Sequence, residues 1–183
     1  EDYNDKGNKS IIHNSIVEAG IGCSNVCMSD IELLERYTKN DDMNSVWVKS
    51  GYEMIPYVST SYGEDISHLI FYNEIYGLDA IGGGEFIVYY YIEGFENGLK
   101  VGDYQRFKRI QGLSTNVLLG SFDIRNLSSG NYNLVIEVRN RDNILLASKR
   151  HFFRRHNNII VGLENDTLGR YNVLKNSFVW NID

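Results

Sequence analysis

The stretch LSSGNYNLVIEV, residues 127–138, decides how this sequence is read. From Tyr132 onward apolar and polar residues alternate, so Tyr132, Leu134, Ile136 and Val138 share one face of a strand while Asn133 and Glu137 point the other way. One face is therefore core. Leu127 lies five residues before Tyr132 and Gly130 two before it, the spacing of a tyrosine corner, in which the ring packs under a sharp loop and the hydroxyl bonds the backbone upstream. Gly130 suits the tight turn that such a corner needs.

Strand signals extend in both directions from this point. EVRNRDNILLASKRHF, just downstream, reads as a hairpin with its turn near Arg141-Asp142-Asn143. Upstream, HLIFYNEIYGL (68–78), GEFIVYYYIEGF (84–95), DYQRFKRIQ (103–111) and VLLGSFDI (117–124) follow one another at the short, regular spacing of an antiparallel β-sandwich. In SVWVKSGYEMIPYV (45–58) two β-rich runs flank Ser50-Gly51, which reads as a hairpin or a bulged strand, and Pro56 marks an edge or a domain entrance. HNSIVEAGIG (13–22) reads as a strand, and DIELLERYT (30–38) as a strand or a short amphipathic helix. The expected fold class is all-β, an immunoglobulin-like or fibronectin-type sandwich over residues 60–156. It is preceded by a strand-rich segment, 1–59, that joins its sheets or belongs to a neighbouring module, and followed by an extended tail, 157–183, leading to a further domain.

Composition agrees with that class. With 13 Tyr and 8 Phe the chain is biased toward residues that favour strands, and a single proline argues against a proline-rich linker. No apolar run is long enough for a membrane span. The chain opens on Glu1 and a polar lead, from which an upstream segment is expected to have been removed. The net charge of -6 is uneven: residues 1–99 hold 17 acidic and 5 basic residues, and residues 100–156 hold 11 basic and 4 acidic ones. In an interleaved antiparallel fold such halves become cross-strand neighbours, so the basic half is read as ion pairing and not as a nucleic-acid surface.

Candidate chemistry is sparse. Cys23 and Cys27, in GCSNVCM, have no second pair or nearby histidine to complete a metal site, and they are read as thiols or, alternatively, as a local disulfide that needs a turn or bulge at Ser24-Asn25. GLDAIGGGE (77–85) lacks the lysine and hydroxyl of a phosphate loop and is read as a connection. His13, His68, His151 and His156 sit near no nucleophile elbow. Glu74 and Glu93 lie on strands that could be neighbours and could form a carboxylate pair, but solvent-facing strand glutamates are the favoured reading. Asp41-Asp42 is too short a cluster for calcium. The expectation is no catalytic residue, no metal and no cofactor.

The remaining feature is aromatic. Tyr72 and Tyr76 share the non-core face of one strand with Glu74, and Tyr89 and Tyr91 lie opposite Phe86, Val88, Tyr90 and Ile92 on another. If those strands pair, four tyrosines gather into one patch suited to a protein partner or a glycan, unless residues 1–60 or another domain cover it.

SDIELLERY, VKSGYEMIPYVSTSY, HLIFYNEIYGL, the LSSGNY corner with its hairpin, and NSFVWNI together resemble the immunoglobulin-like portion of secreted or periplasmic proteins of Bacteroidota, similar in layout to those named for a GWxTD motif. The resemblance covers most of residues 29–182, and the naming motif itself is absent. It implies a fold and a periplasmic or cell-surface location more than an activity. Asp166-Thr167-Leu168 also matches the O-glycosylation acceptor pattern of that phylum. The function expected is a non-catalytic domain of a cell-envelope protein that supports or mediates protein interaction, its partners being other envelope proteins or further domains of the same chain. The alternatives are a carbohydrate-binding module and an accessory domain of an enzyme whose catalytic part lies outside this chain.

Overall fold

Alternation of more and less buried side chains runs through several of the longer elements of this chain, and strands are what it forms. The structure, a computed structural model, describes residues 25–40, 48–82 and 84–158 and the backbone of two short strands beyond them. In chain order the strands are β1 (Cys27–Met28), β2 (Glu32–Lys39), β3 (Val48–Lys49), β4 (Tyr52–Pro56), β5 (Ser61–Tyr62), β6 (His68–Tyr76), β7 (Glu85–Gly94), β8 (Lys100–Gln111), β9 (Thr115–Asp123), β10 (Gly130–Arg139), β11 (Leu145–Arg155), β12 (Arg170–Asn172) and β13 (Ser177–Val179). β12 pairs antiparallel with β13. The strand expected at 13–22, Cys23, His13, Asp41-Asp42 and the Asp166-Thr167-Leu168 pattern lie outside the described residues.

Two sheets carry the rest. In the first, β6 is flanked along its whole length by β9 and on its other side by β2 and then β1, and the sheet continues through β4 to β3. The second runs β5-β11-β10-β7-β8, antiparallel except where β5 joins β11. The strands of the leading segment are thus part of the sandwich: Met28, Ile31 and Leu33 enter the same core as Phe71, Ile75, Leu118 and Phe122 from the first sheet and Val88, Ile92, Leu134, Ile136 and Phe153 from the second. Phe71 and Tyr90 meet across the two layers with ring centroids 5.5 Å apart. Each buried residue of this size contributes about 1.5–3 kcal/mol.

Local chemistry explains the joints. Ser50 and Gly51 both take positive φ, 51° and 79°, the two-residue turn whose twist matches the flanking strands of a hairpin. Asn143, at φ 62°, closes the β10–β11 hairpin, with Asn140 accepting the Asp142 and Ile144 amides on its side chain. At the start of β10 the Tyr132 hydroxyl donates to the Ser128 carbonyl at 3.0 Å, Leu127 is buried, and a Cβ on Gly130 would press on the Tyr132 ring at 3.1 Å. Ion pairs cross between the two charge-biased halves, Lys149 with Asp30 at 2.7 Å and Arg150 with Glu93 at 3.1 Å.

Two readings are corrected. Cys27 is disulfide-bonded, so the thiol reading gives way to the alternative; Cys23 is the one other cysteine in the sequence. Glu74 and Glu93, read as solvent-facing, are half-buried and buried respectively; they belong to different sheets and, as the favoured reading had it, form no carboxylate pair.

Candidate binding face

The tyrosines singled out in the sequence do not gather, because β6 and β7 never pair. Tyr72 and Tyr76 lie on the outer face of the first sheet, Tyr89 and Tyr91 on the outer face of the second, with the core between them.

On the first sheet the outer face is closed by a small second cluster, Leu34, Met54 and Tyr72, against which Tyr52, Ile70, Val117 and Leu119 pack. Glu74 accepts from the Tyr72 hydroxyl at 2.5 Å and from the Tyr76 hydroxyl; Ser50 Oγ reaches Tyr72 Oη at 3.1 Å and the Lys49 ammonium stands 5.2 Å from its ring. Tyr72 is 1% exposed, so it stabilises the fold and offers no surface.

On the second sheet the outer face is polar and only partly exposed: Tyr91, at 4% exposure, and Glu93 are buried in it, so Tyr91, like Tyr72, offers no surface. Outward positions of β7, β10 and β8 place Tyr89, Tyr91, Glu93, Asn133, Glu137, Arg139 and Phe107 side by side. Glu137 holds the arrangement. One carboxylate oxygen accepts from Tyr91 Oη at 2.8 Å; the other accepts from Arg139 Nε at 3.0 Å and Nη2 at 2.8 Å. Arg139 also donates to the Asn143 carbonyl at 3.0 Å, tying the hairpin loop to the sheet. Burial opposes ionisation of Glu137, but Tyr91, Arg139 and Lys100 outweigh it and hold the carboxyl below its ordinary value. Burial, then the bond to Glu137, pushes the Tyr91 hydroxyl up to about 12. The Lys100 ammonium lies 4.1 Å from the Tyr91 ring centroid, a cation–π contact. Glu93, buried, accepts from Asn133 at 3.2 Å and Arg150 at 3.1 Å.

A shallow groove of about 290 Å³ opens between Tyr89, Lys100, Glu137, Arg139 and Asn143. Beside it Tyr89 and Phe107 form a tilted aromatic pair, centroids 6.1 Å apart, and Phe107 is 62% exposed. Of these residues the sequence reading offered only Tyr89 for binding; Glu137 and Asn143 entered it as an outward strand position and a turn residue. The others were legible as outward-facing on their own strands, but bringing them together required knowing that β7 lies between β8 and β10. Among the described residues no group of three or more His, Cys, Asp or Glu could hold a metal, and no helix is long and apolar enough to cross a membrane.

No protein-family model and no curated protein matches the chain. Among solved structures it is similar to the crystal structure of β-glucosidase from Kluyveromyces marxianus in complex with glucose, at 9% identity and a TM-score of 0.34, over 70% of this chain and 13% of that one. It is likewise similar to the selenomethionine-labelled form of the same enzyme, at 8% identity and a TM-score of 0.33, over 72% of this chain and 14% of that one. The chain thus spans about a seventh of those enzymes' length, and likenesses at this level carry no argument.

Proposed function

We propose that this chain is a non-catalytic, immunoglobulin-like β-sandwich domain of a bacterial cell-envelope protein, and that it mediates protein interaction through the outer face of β7, β8 and β10. The observation that carries this reading is the pair of half-buried Tyr89 and exposed Phe107, set beside a Glu137 carboxylate already bonded to Tyr91 and Arg139. Such a surface loses little side-chain freedom on docking and presents aromatic area with ordered polar neighbours, the make-up of an interface centre. The immunoglobulin-like assignment is supported by the strand order, β2-β6-β9 facing β8-β7-β10-β11, and by the Tyr132 contact at the start of β10. A photo-crosslinking residue at position 107, compared with one at the exposed Thr38 of the first sheet, tests it in cells that export the full-length protein. Adducts to one envelope protein from position 107 alone are expected; equal labelling from both positions sinks the reading.

A second reading, glycan binding, is favoured by the groove itself, where the Tyr89 ring is bordered by Lys100, Glu137 and Asn143. A glycan array separates the two. Saturable binding lost in Tyr89→Ser would select the glycan.

A further inference from the structure

The second sheet ends on β8, and among the described residues β8 pairs with β7 alone. The Gly112 amide donates to the Gly84 carbonyl at 2.8 Å, which fixes the phase of the β7–β8 ladder. With Glu85 opposite Gln111 and pairing in step to Tyr91 opposite Gln105, the pairs 86/110, 88/108 and 90/106 exchange hydrogen bonds. The backbone groups of Gln105, Phe107, Arg109 and Gln111 therefore point away from the sheet.

Side chains close the two ends of that row. Arg106 donates to the carbonyls of Asp103 at 2.8 Å and Gln105 at 2.7 Å, Gln105 donates to the Gly102 carbonyl at 3.0 Å, and Asn116 donates to the Gln111 carbonyl at 2.8 Å. Below Gln105 the ladder is bulged, residues 101–104 standing opposite Ile92 alone. What stays open among the described residues is the middle, the amides and carbonyls of Phe107 and Arg109.

The charge around this opening is predominantly positive. β8 carries Lys100, Arg106, Lys108 and Arg109 against Asp103. Arg109 lies 3.8 Å from Glu85 in an exposed pair, and Lys108 has no ion-pair partner among the described residues. A second copy of β8 laid against the first would bring the same bases together, which disfavours self-pairing.

We propose that the open middle of β8 accepts an extended acidic peptide segment as a sixth strand, hydrogen-bonded to Phe107 and Arg109, with apolar side chains on the Phe107 face and carboxylates on the face of Arg106 and Lys108. This is strand addition, in which backbone bonds give affinity and alternate side chains give selection. It rests on the backbone of the sheet edge and shares with the outer-face reading only the Phe107 side chain.

The probe is a peptide of alternating glutamate and valine, and the readout is amide hydrogen exchange on the intact chain. Without peptide, the amides of Phe107 and Arg109 exchange fast while those of Arg106, Lys108 and Ile110 are protected. With peptide, Phe107 and Arg109 gain protection. Arg109→Pro, which an edge strand tolerates and which deletes an outward amide along with the guanidinium, weakens binding about tenfold relative to Arg109→Ala, which loses the guanidinium alone, while Arg109→Lys binds like the parent. Three outcomes overturn the proposal: no gain at Phe107 and Arg109, the same gain with a lysine–valine peptide, or protection that rises with protein concentration alone, which makes a second copy the occupant. A failure of the outer-face reading leaves these amide signals unchanged.

Discussion

The Tyr132 hydroxyl donates to the Ser128 carbonyl across 3.0 Å, and the two residues between Ser128 and Gly130's neighbour bend tightly enough that a Cβ on Gly130 would touch the same ring. Tyr132 is buried and its ring stacks on Phe153 at 5.6 Å. Tyr132→Phe keeps the stacking and deletes the bond to the Ser128 carbonyl together with the contact between Tyr132 Oη and Ser128 Oγ at 3.1 Å, so it lowers stability by about 1 kcal/mol or more. Urea midpoints measure this; a midpoint equal to that of the parent would remove the hydroxyl from the stabilising set.

That corner was legible in the sequence because every part of it is local: a glycine, a tyrosine and a period-two run within one short window. The same holds for the Ser50-Gly51 hairpin and for the core face of β7. Strand adjacency was not legible, since alternation says which side chains share a face of one strand and nothing about its neighbour. A clue lay in the connection between β6 and β7, residues 77–84, which is longer than the loop of a simple hairpin and instead carries the chain to the opposite sheet. Arg155 was missed for a different reason. It shares parity with Phe153, and it is 2% exposed with its guanidinium donating to the carbonyls of Gly63 and Ile66. Composition marks arginine as a surface residue, and only tertiary contact supplies carbonyl acceptors for a buried one.

Gly120 is a second case that parity alone could not rank. It stands opposite Phe71 on the core face of β9, and a Cβ there would run into the Phe71 ring. Phe71 is fully buried against Phe122 and Tyr90 and has no room to retreat. Gly120→Ala is therefore expected to cost about 1–3 kcal/mol through overpacking, despite the ordinary advantage of alanine over glycine in a strand. Adding Phe71→Leu should recover part of the loss in a double-mutant cycle. Equal or higher stability of Gly120→Ala would show that the layers separate more easily than this packing implies.

The Glu74 carboxylate gives the acid limb of stability a specific source. Burial opposes its ionisation, but the hydroxyls of Tyr72 and Tyr76 and the charge of Lys49 prevail, so it titrates below its ordinary value of 4.5. A depressed folded-state pKa means the contribution is fully present above the unfolded value and is lost as pH falls through the folded one. Urea midpoints should hold down to about 4.5 and decline below it. Glu74→Gln should start lower at neutral pH and decline less steeply, because one proton-linked group has been removed. An unchanged slope would assign the acid limb to other carboxylates.

The separation of the tyrosines onto two outer faces has its own thermodynamic signature. Tyr72 and Tyr76 both donate to Glu74, whereas Tyr91 donates to Glu137 on the other sheet, with the core in between. Each of Tyr72→Phe and Tyr91→Phe removes a hydrogen bond to a carboxylate and should cost about 1.5–3 kcal/mol, nearer the lower end where water reaches the partner. Because no residue is shared, the double variant of Tyr72 and Tyr91 should equal the sum of the singles within about 0.5 kcal/mol. Tyr72→Phe with Tyr76→Phe should depart from the sum, since the second change acts on a carboxylate that has already lost a donor. Had the four rings formed one patch, coupling would join Tyr72 to Tyr91 as well. Additivity between Tyr72 and Tyr76, or coupling between Tyr72 and Tyr91, would contradict the assignment of these strands to separate sheets.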